Sequence, residues 1–163
     1  MNSSEPTVLV GRVASLHLHP ETPGAPLNDV SMFEVVAGKG IQDEPRYFGR
    51  PRLNSGEPYR RQLTLIAREQ IADHAQALSL AGIPPGAVRS NIETTGLNLN
   101  SWIGRDVRVG EAVVRFYAPR TPCAKMDAIC AGLRALMGDG RQGVLAEIVR
   151  SGAIQVGDPI ELI

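Results

Sequence analysis

The feature that most constrains the fold is a repeated pattern of short aliphatic runs separated by turn residues. Such runs, rich in Val, Ile and Leu and closed by Gly or Pro every eight to twelve residues, are typical of β-strands. The predicted strands cover 8–18, 32–37, 62–66, 87–94, 106–109, 113–118, 143–149, 153–156 and 159–163. Two similar turns, Val109-Gly110-Glu111 and Val156-Gly157-Asp158, link neighbouring strands, and glycine supplies the positive φ that tight turns need.

Only two stretches have helical periodicity, 68–80 and 128–137. A chain of 163 residues suits one domain with its own core, here a single domain over residues 1–163. Aromatic residues make up 4% of the chain, so the core must be aliphatic. We therefore expect a mainly β protein with a few short helices, in which the sheet forms a closed or nearly closed β-barrel.

Charge and cysteine content exclude several classes of protein. The formal net charge is zero and no block of like charge occurs, which argues against a nucleic-acid-binding or membrane-surface protein. No apolar run reaches transmembrane length, and residues 1–6 lack the basic and apolar regions of a secretory signal. Two cysteines at this spacing form neither a disulfide framework nor a zinc site. We expect a soluble protein of the reducing cytoplasm.

The strongest chemical signal is the cysteine that follows strand 113–118. Cys123 stands in the segment Arg120-Thr121-Pro122-Cys123-Ala124-Lys125, stiffened by proline and flanked by two cations. Nearby cations favour the thiolate, which is the form that attacks electrophiles, carries sulfur or binds soft metals. The alternative is a buried, inert cysteine, since free cysteine is among the most buried residue types.

Other polar groups are candidates for binding. Five arginines fall within sixteen positions and predict either an anion pocket or a solvated loop: Arg46, Arg50, Arg52, Arg60 and Arg61. The stretch 43–56, rich in Pro, Gly and charge, is interpreted as a long surface excursion. The trio Arg89-Ser90-Asn91 interrupts a predicted buried strand, so these side chains must find hydrogen-bond partners, for which a pocket or ligand is a natural source.

Several segments in order make the chain from about residue 41 to 163 resemble a MOSC domain, the module named for the carboxy-terminal region of molybdenum cofactor sulfurases. They are Gly40-Ile41-Gln42-Asp43, Pro85-Gly86 with Asn91-Ile92-Glu93-Thr94-Thr95-Gly96, Ile103-Gly104-Arg105-Asp106-Val107-Arg108-Val109-Gly110-Glu111, Pro119-Arg120-Thr121-Pro122-Cys123, and Gln155-Val156-Gly157-Asp158.

The resemblance implies a barrel of the MOSC type and a key cysteine, Cys123, which either ligates the molybdenum of a molybdopterin cofactor or carries persulfide sulfur. Relatives that hold molybdenum reduce N-hydroxylated compounds, and this activity would require a redox partner. The alternative is a non-catalytic carrier that exchanges sulfur with donor and acceptor proteins. The resemblance also implies that Arg89, Asn91, Arg120, Thr121 and Lys125 surround the cofactor. Cys130 matches no signature and is expected in the core.

Overall fold

The computed structural model describes residues 11–163, which form eleven strands, three short helices and one 3-10 turn. The strands are β1 Gly11–Leu18, β2 Asn28–Val30, β3 Met32–Val36, β4 Gly40–Ile41, β5 Leu63–Ala67, β6 Ile92–Thr95, β7 Asp106–Val109, β8 Ala112–Pro119, β9 Val144–Arg150, β10 Gly152–Gln155 and β11 Pro159–Leu162. The helices are α1 Arg68–Ala77, α2 Lys125–Ile129 and α3 Leu133–Leu136, and the 3-10 turn is Leu99–Trp102.

Seven strands close into a barrel in the order β11, β7, β8, β9, β5, β6, β1, and β1 pairs with β11 to complete the ring. Every pairing in the barrel is antiparallel except that between β5 and β6. A parallel pair needs a crossover connection, and α1 supplies it. The short β2 extends the sheet beyond β1, while β10, β3 and β4 form a separate small sheet.

The core is mainly aliphatic, as the low aromatic content predicts. The barrel interior is filled by side chains such as Leu65, Ile92, Val107, Val114 and Phe116, none of which has any exposed surface. A second cluster fills the space between the helices and the outside of the barrel; its buried members are Ile66, Ile71, Val88, Met126, Leu133 and Met137. The helices therefore pack on the outside of the barrel, and the predicted fold class is confirmed.

Two predicted elements differ substantially from the observed ones, and a third is described only in part. The predicted strand 87–94 begins only at Ile92, because residues 84–89 form a turn in which Arg89 has a φ of 66°. The predicted helix 128–137 is two helices, because Gly132 adopts a φ of 89° between them. The predicted first strand is observed from Gly11, and residues 8–10 lie outside the described part of the chain.

The repeated Val-Gly-acid turns meet each other at one end of the barrel. Gly110 and Gly157 both adopt positive φ, 57° and 90°. The Gly110 N–H donates to the Pro159 carbonyl, and a Cβ on Gly110 would collide with the Asp158 carboxylate. The prediction that these glycines supply turn conformations is thus confirmed. None of the helices within residues 11–163 is long and apolar enough to cross a membrane.

Candidate cysteine site and the neighbouring cavity

Cys123 lies on an irregular segment between the end of β8 at Pro119 and the start of α2 at Lys125. Proline at both ends of the Pro119–Pro122 stretch removes backbone donors, so the segment cannot continue the sheet. The Cys123 carbonyl accepts a 3.0 Å hydrogen bond from the Met126 N–H, which fixes the approach to α2. The cysteine itself is exposed to solvent. The alternative of a buried cysteine is therefore wrong for Cys123, and its reactivity stays a prediction.

Three residues earlier, Arg120 is buried, with 8% of its surface exposed. Its Nη1 donates to the Arg89 carbonyl at 3.2 Å and to Ser90 Oγ at 3.0 Å, and its backbone N–H donates to the Gly143 carbonyl at 2.9 Å. Among residues 11–163, no carboxylate forms an ion pair with Arg120, and neither its Nε nor its Nη2 donates a hydrogen bond. Part of the guanidinium is therefore available to an anionic ligand.

The surroundings of Arg120 are cationic. The pKa of Arg120 is lowered to about 10, chiefly by burial and to a lesser extent by the positive charges of Arg61 and Arg89, while Cys123 acts in the opposite direction. A group whose charge responds to that of Cys123 lies within electrostatic range of it.

Arg89 contributes to this site mainly through its backbone. Its positive φ turns its carbonyl toward Arg120, whereas its own Nη1 donates to the carbonyl of Ala25 at 2.9 Å. Such a conformation is uncommon for a residue with a Cβ, and it costs on the order of 1 to 3 kcal/mol of folding free energy. The Arg89 guanidinium is thereby tied to the loop that precedes β2.

Asn91 is held by a buried hydrogen-bond network. Its Oδ1 accepts from the backbone N–H and the hydroxyl of Thr64, at 3.2 and 3.1 Å, and its Nδ2 donates at 3.1 Å to both the His17 carbonyl and Glu44 Oε2. The polar residues of the predicted strand therefore find their partners within the protein: Asn91 in this network and Ser90 with Arg120. A residue fixed on all sides is rigid, which suits the wall of a binding site.

Asn91 lines a cavity of about 300 Å³. The other lining residues are His19, Glu44, Tyr47, Arg50, Tyr59, Arg61, Gln62, Leu63 and Thr64. Glu44 Oε2 accepts hydrogen bonds from the His19 backbone N–H at 2.5 Å and from His19 Nδ1 at 2.7 Å. Arg61 lines this cavity, and its positive charge also lowers the pKa of Arg120 in the cysteine segment.

The model of one protein family, the MOSC domain, matches residues 30–161. This span includes the barrel strands from β5 onward, all of the cavity wall except His19, and the cysteine segment. The chain belongs to the MOSC domain family. No curated protein matches the chain.

Solved structures show the same fold. The YuaD protein from Bacillus subtilis superposes with a TM-score of 0.77 at 18% identity, covering 94% of this chain and 95% of that one. YiiM from Escherichia coli gives a TM-score of 0.64 at 21% identity, covering 94% of this chain and 68% of that one. YiiM from Geobacillus stearothermophilus gives 0.69 at 18% identity, with 94% and 75% covered. At these identities the likeness concerns the fold alone.

The six residues predicted for the site of this MOSC domain do not share one cavity. Asn91 lines the 300 Å³ cavity, and Arg120 lines a separate groove of about 490 Å³ together with Thr121. Lys125 is exposed as the first residue of α2, and its side chain makes no hydrogen bond or ion pair within the described residues. Cys130 is only partly buried and packs at the edge of the helical cluster, so its predicted core position is approximate.

Sequence reasoning missed the acidic residue in the cavity. The stretch 43–56 is mostly exposed, as predicted, but Glu44 within it is only 3% exposed. No local pattern identifies Glu44, because its partners His19 and Asn91 are distant in sequence. The two other histidines have structural contacts as well: His17 bonds Asp29 and Ser15, and His74 bonds the Arg141 carbonyl. No group of three or more His, Cys, Asp or Glu side chains in residues 11–163 is arranged to hold a metal ion.

Proposed function

We propose that the protein carries sulfur as a persulfide on Cys123. The observation that supports this most directly is an exposed thiol three residues after a buried arginine whose guanidinium has no carboxylate partner within the described residues. A sulfur carrier must present its cysteine to donor and acceptor molecules, and the exposure of Cys123 meets that need. Arg120 supplies positive charge on the same segment, and positive charge favours the negatively charged persulfide.

In this reaction the Cys123 thiolate attacks the outer sulfur of a donor persulfide, the S–S bond of the donor breaks and the donor thiolate leaves. An acceptor thiolate later attacks the outer sulfur on Cys123, and the Cys123 thiolate is released. Both steps need a compartment in which thiols stay reduced, so we place the protein in the cytoplasm, with sulfur-donating and sulfur-accepting proteins as its partners.

The test is intact-mass spectrometry after incubation with inorganic polysulfide. The wild-type protein should gain about 32 Da, one sulfur atom, and lose it on treatment with a thiol reductant. Cys123→Ser should not gain this mass, whereas the matched variant Cys130→Ser should gain it normally. Because Cys123 is exposed, the free energy of unfolding of Cys123→Ser should lie within about 0.5 kcal/mol of the wild-type value. Loading that depends on Cys130 instead would refute the assignment.

Binding of a molybdenum cofactor is the second candidate, and the unpartnered side of the Arg120 guanidinium, which lines a groove of about 490 Å³ with Thr121, favours it. The residues fit such a group in kind: Cys123 would supply a thiolate ligand to molybdenum, and the free Arg120 donors would bind a phosphate or an oxo group. Bound molybdenum would supply two-electron redox chemistry, in relatives the reduction of N-hydroxylated compounds, with a redox partner as the electron source.

Elemental analysis separates the two candidates. Protein produced with added molybdate should contain about one molybdenum atom per chain if the cofactor binds, and Cys123→Ser should contain far less. Polysulfide loading of Cys123 in protein that contains no molybdenum would leave sulfur carriage as the function.

A further inference from the structure

The cavity of about 300 Å³ contains a buried carboxylate that is only partly hydrogen-bonded. Glu44 is 3% exposed, and its Oε2 accepts hydrogen bonds from the backbone N–H and Nδ1 of His19 and from Asn91 Nδ2. Its Oε1 accepts none from residues 11–163. In that range the only fully enclosed side-chain oxygen or nitrogen without a partner is Gln142 Oε1, so Glu44 Oε1 is in contact with open space. Because Glu44 lines the cavity, this free oxygen faces the cavity.

The negative charge of Glu44 has no permanently charged counter-ion in the described part of the chain. Its only ionisable partner there is His19, whose Nδ1 lies 2.7 Å from Oε2. Buried charges are normally paired, because burial removes their hydration. A protonated nitrogen on a ligand would supply the missing positive charge. One free oxygen suits a single N–H donor such as an ammonium group, since the bidentate pairing of a guanidinium needs both carboxylate oxygens.

Two arginines stand at the open side of the same cavity. Arg50 and Arg61 line it and are exposed to solvent. The guanidinium carbon of Arg50 lies 5.6 Å from the centre of the Tyr59 ring, a contact that restrains this side chain. Among residues 11–163, neither arginine forms an ion pair with Glu44 or with any other carboxylate. Opposite charges therefore share one cavity without contacting each other.

The wall between these charges offers few free polar groups. The Thr64 hydroxyl and the Asn91 amide are hydrogen-bonded to each other, and the Gln62 amide is bonded to two backbone groups. The remaining wall includes Leu63 and the ring of Tyr47. Methylene groups can occupy this part of the cavity without leaving a polar group unpaired.

We propose that this cavity binds a small linear amino acid whose ammonium and carboxylate groups stand at opposite ends of a methylene chain. The ammonium group pairs with Glu44 Oε1, and the carboxylate is bound by Arg50 or Arg61 at the open side. A cavity of about 300 Å³ is at the lower end of the range for ligand sites, which suits a ligand of this size. Cys123 does not line the cavity, so this binding site is separate from the proposed sulfur carrier and does not depend on it.

The ligand must carry both charges to satisfy the site. An amine without a carboxylate would leave the two arginines without an anion, and a carboxylate without an ammonium group would leave Glu44 without a counter-ion. Because the two charged groups of the ligand are joined by a chain of limited reach, the affinity should also depend on the number of methylene groups between them.

The experiment is an NMR titration of isotope-labelled protein, in which the backbone amide shifts report both the affinity and the place of binding. The probes are β-alanine, γ-aminobutyrate, δ-aminovalerate and ε-aminocaproate, with the alkylamines and carboxylic acids of the same chain lengths as single-charge controls. One amino acid of the series should saturate the shifts of cavity amides such as those of Leu63 and Thr64, with a Kd of about 1 mM or lower. The matching amine and acid should bind at least about tenfold more weakly.

Variants assign each charge to its partner. Glu44→Gln keeps an oxygen for the existing hydrogen bonds but removes the charge, so it should weaken the amino acid by about tenfold or more and leave the matching carboxylic acid no weaker. Arg61→Gln changes an exposed residue and should weaken the amino acid and the carboxylic acid alike, by about threefold or more. Arg108→Gln and Cys123→Ser lie outside the cavity and should leave every Kd unchanged.

Three results would overturn the proposal. The first is that no amino acid of the series saturates the cavity amides, and the second is that a single-charge probe binds as tightly as the amino acid of the same length. The third is that Arg61→Gln binds every probe as the wild type does. None of these results bears on persulfide formation at Cys123, which is measured by mass in a separate experiment.

Discussion

Arg120 lowers the stability of the fold because its charge is buried, but the same buried charge can bind an anionic ligand. A buried cation without a carboxylate partner costs free energy because it has lost its hydration. Its hydrogen bonds to the Arg89 carbonyl and Ser90 Oγ recover part of that cost. Proteins retain such groups where a ligand completes the charge balance, and for this reason we connect Arg120 with anion binding.

The lowered pKa of Arg120 makes the cost measurable. Its pKa falls from the ordinary value of arginine in the unfolded chain to about 10 in the folded protein, chiefly because of burial. Between these two pH values the unfolded chain keeps a proton that the folded chain has lost, so the free energy of unfolding rises with pH. Below pH 10 Arg120 is charged in both states. Burial of this charge then lowers the free energy of unfolding by about 3 kcal/mol, since one pKa unit corresponds to about 1.4 kcal/mol.

The measurement is urea denaturation of wild type and Arg120→Met at pH 9 and at pH 11. Titration of other groups cancels in the difference between the two proteins. The free energy of unfolding of wild type relative to the variant should increase at the higher pH. A difference that stays constant, or that falls with pH, would contradict a depressed pKa at this residue.

At this scale the sequence predicts the residues whose neighbours are local. Cys123 and Arg120 are three positions apart on one proline-bounded segment, so a short motif reveals both. Glu44 and His19 meet only because two distant loops come together at the cavity. Arg89 is an intermediate case, since its place in the site was predicted, but its positive φ and the use of its carbonyl depend on tertiary packing.

Among the elements, β9 depends on the glycine that precedes it. Gly143 has a φ of 78°, and its carbonyl accepts the Arg120 N–H. A Cβ at this position would collide with the backbone carbonyl of Leu65 on β5 and lie 2.8 Å from the Ile66 Cα. The backbones of β5 and the start of β9 are therefore too close to admit any side chain.

We expect Gly143→Ala to lower the free energy of unfolding by more than about 3 kcal/mol, since it adds a clash between backbones to an unfavourable φ. The matched control is Gly24→Ala, which has a similar φ of 81° but no neighbouring atom within 4 Å, and it should cost about 1 kcal/mol. Thermal unfolding by circular dichroism measures both. Equal costs in the two variants would show that the close approach to β5 is unimportant.

Strands were easier to predict than helices in this chain, for a physical reason. In strands such as β7 and β8, buried and exposed side chains alternate, and the strands end at glycine or proline. Their boundaries can therefore be predicted from the local sequence. The predicted helix 128–137 is mostly apolar. It is interrupted because Gly132 adopts a positive φ, and tertiary packing rather than the local sequence determines that conformation. Helix-forming periodicity alone cannot distinguish one bent helix from two short ones.

For the whole molecule, the decisive contact is the pairing of the first and last described strands. β11 pairs with both β1 and β7, and Ile160 stands opposite Gly11 on one side and Val109 on the other. Closure removes the two free edges that an open sheet would expose. Because β1 and β11 are far apart in sequence, this contact carries a large loop-closure entropy, and barrel formation requires both ends of the chain.

Ile160 should therefore be far more sensitive to truncation than its neighbour on the same strand. Ile160 is 1% exposed in the barrel core, whereas Leu162 is 37% exposed. Ile160→Ala removes buried methyl groups and leaves a cavity at the closure, so it should cost about 3 kcal/mol, while Leu162→Ala should cost less than about 1 kcal/mol. Urea unfolding followed by Trp102 fluorescence and by circular dichroism gives both values. If the barrel is one cooperative unit, the two probes coincide in each variant. Separate transitions for Ile160→Ala would instead mean that β11 can detach while the remaining strands stay folded, and closure would then not be what holds the barrel together.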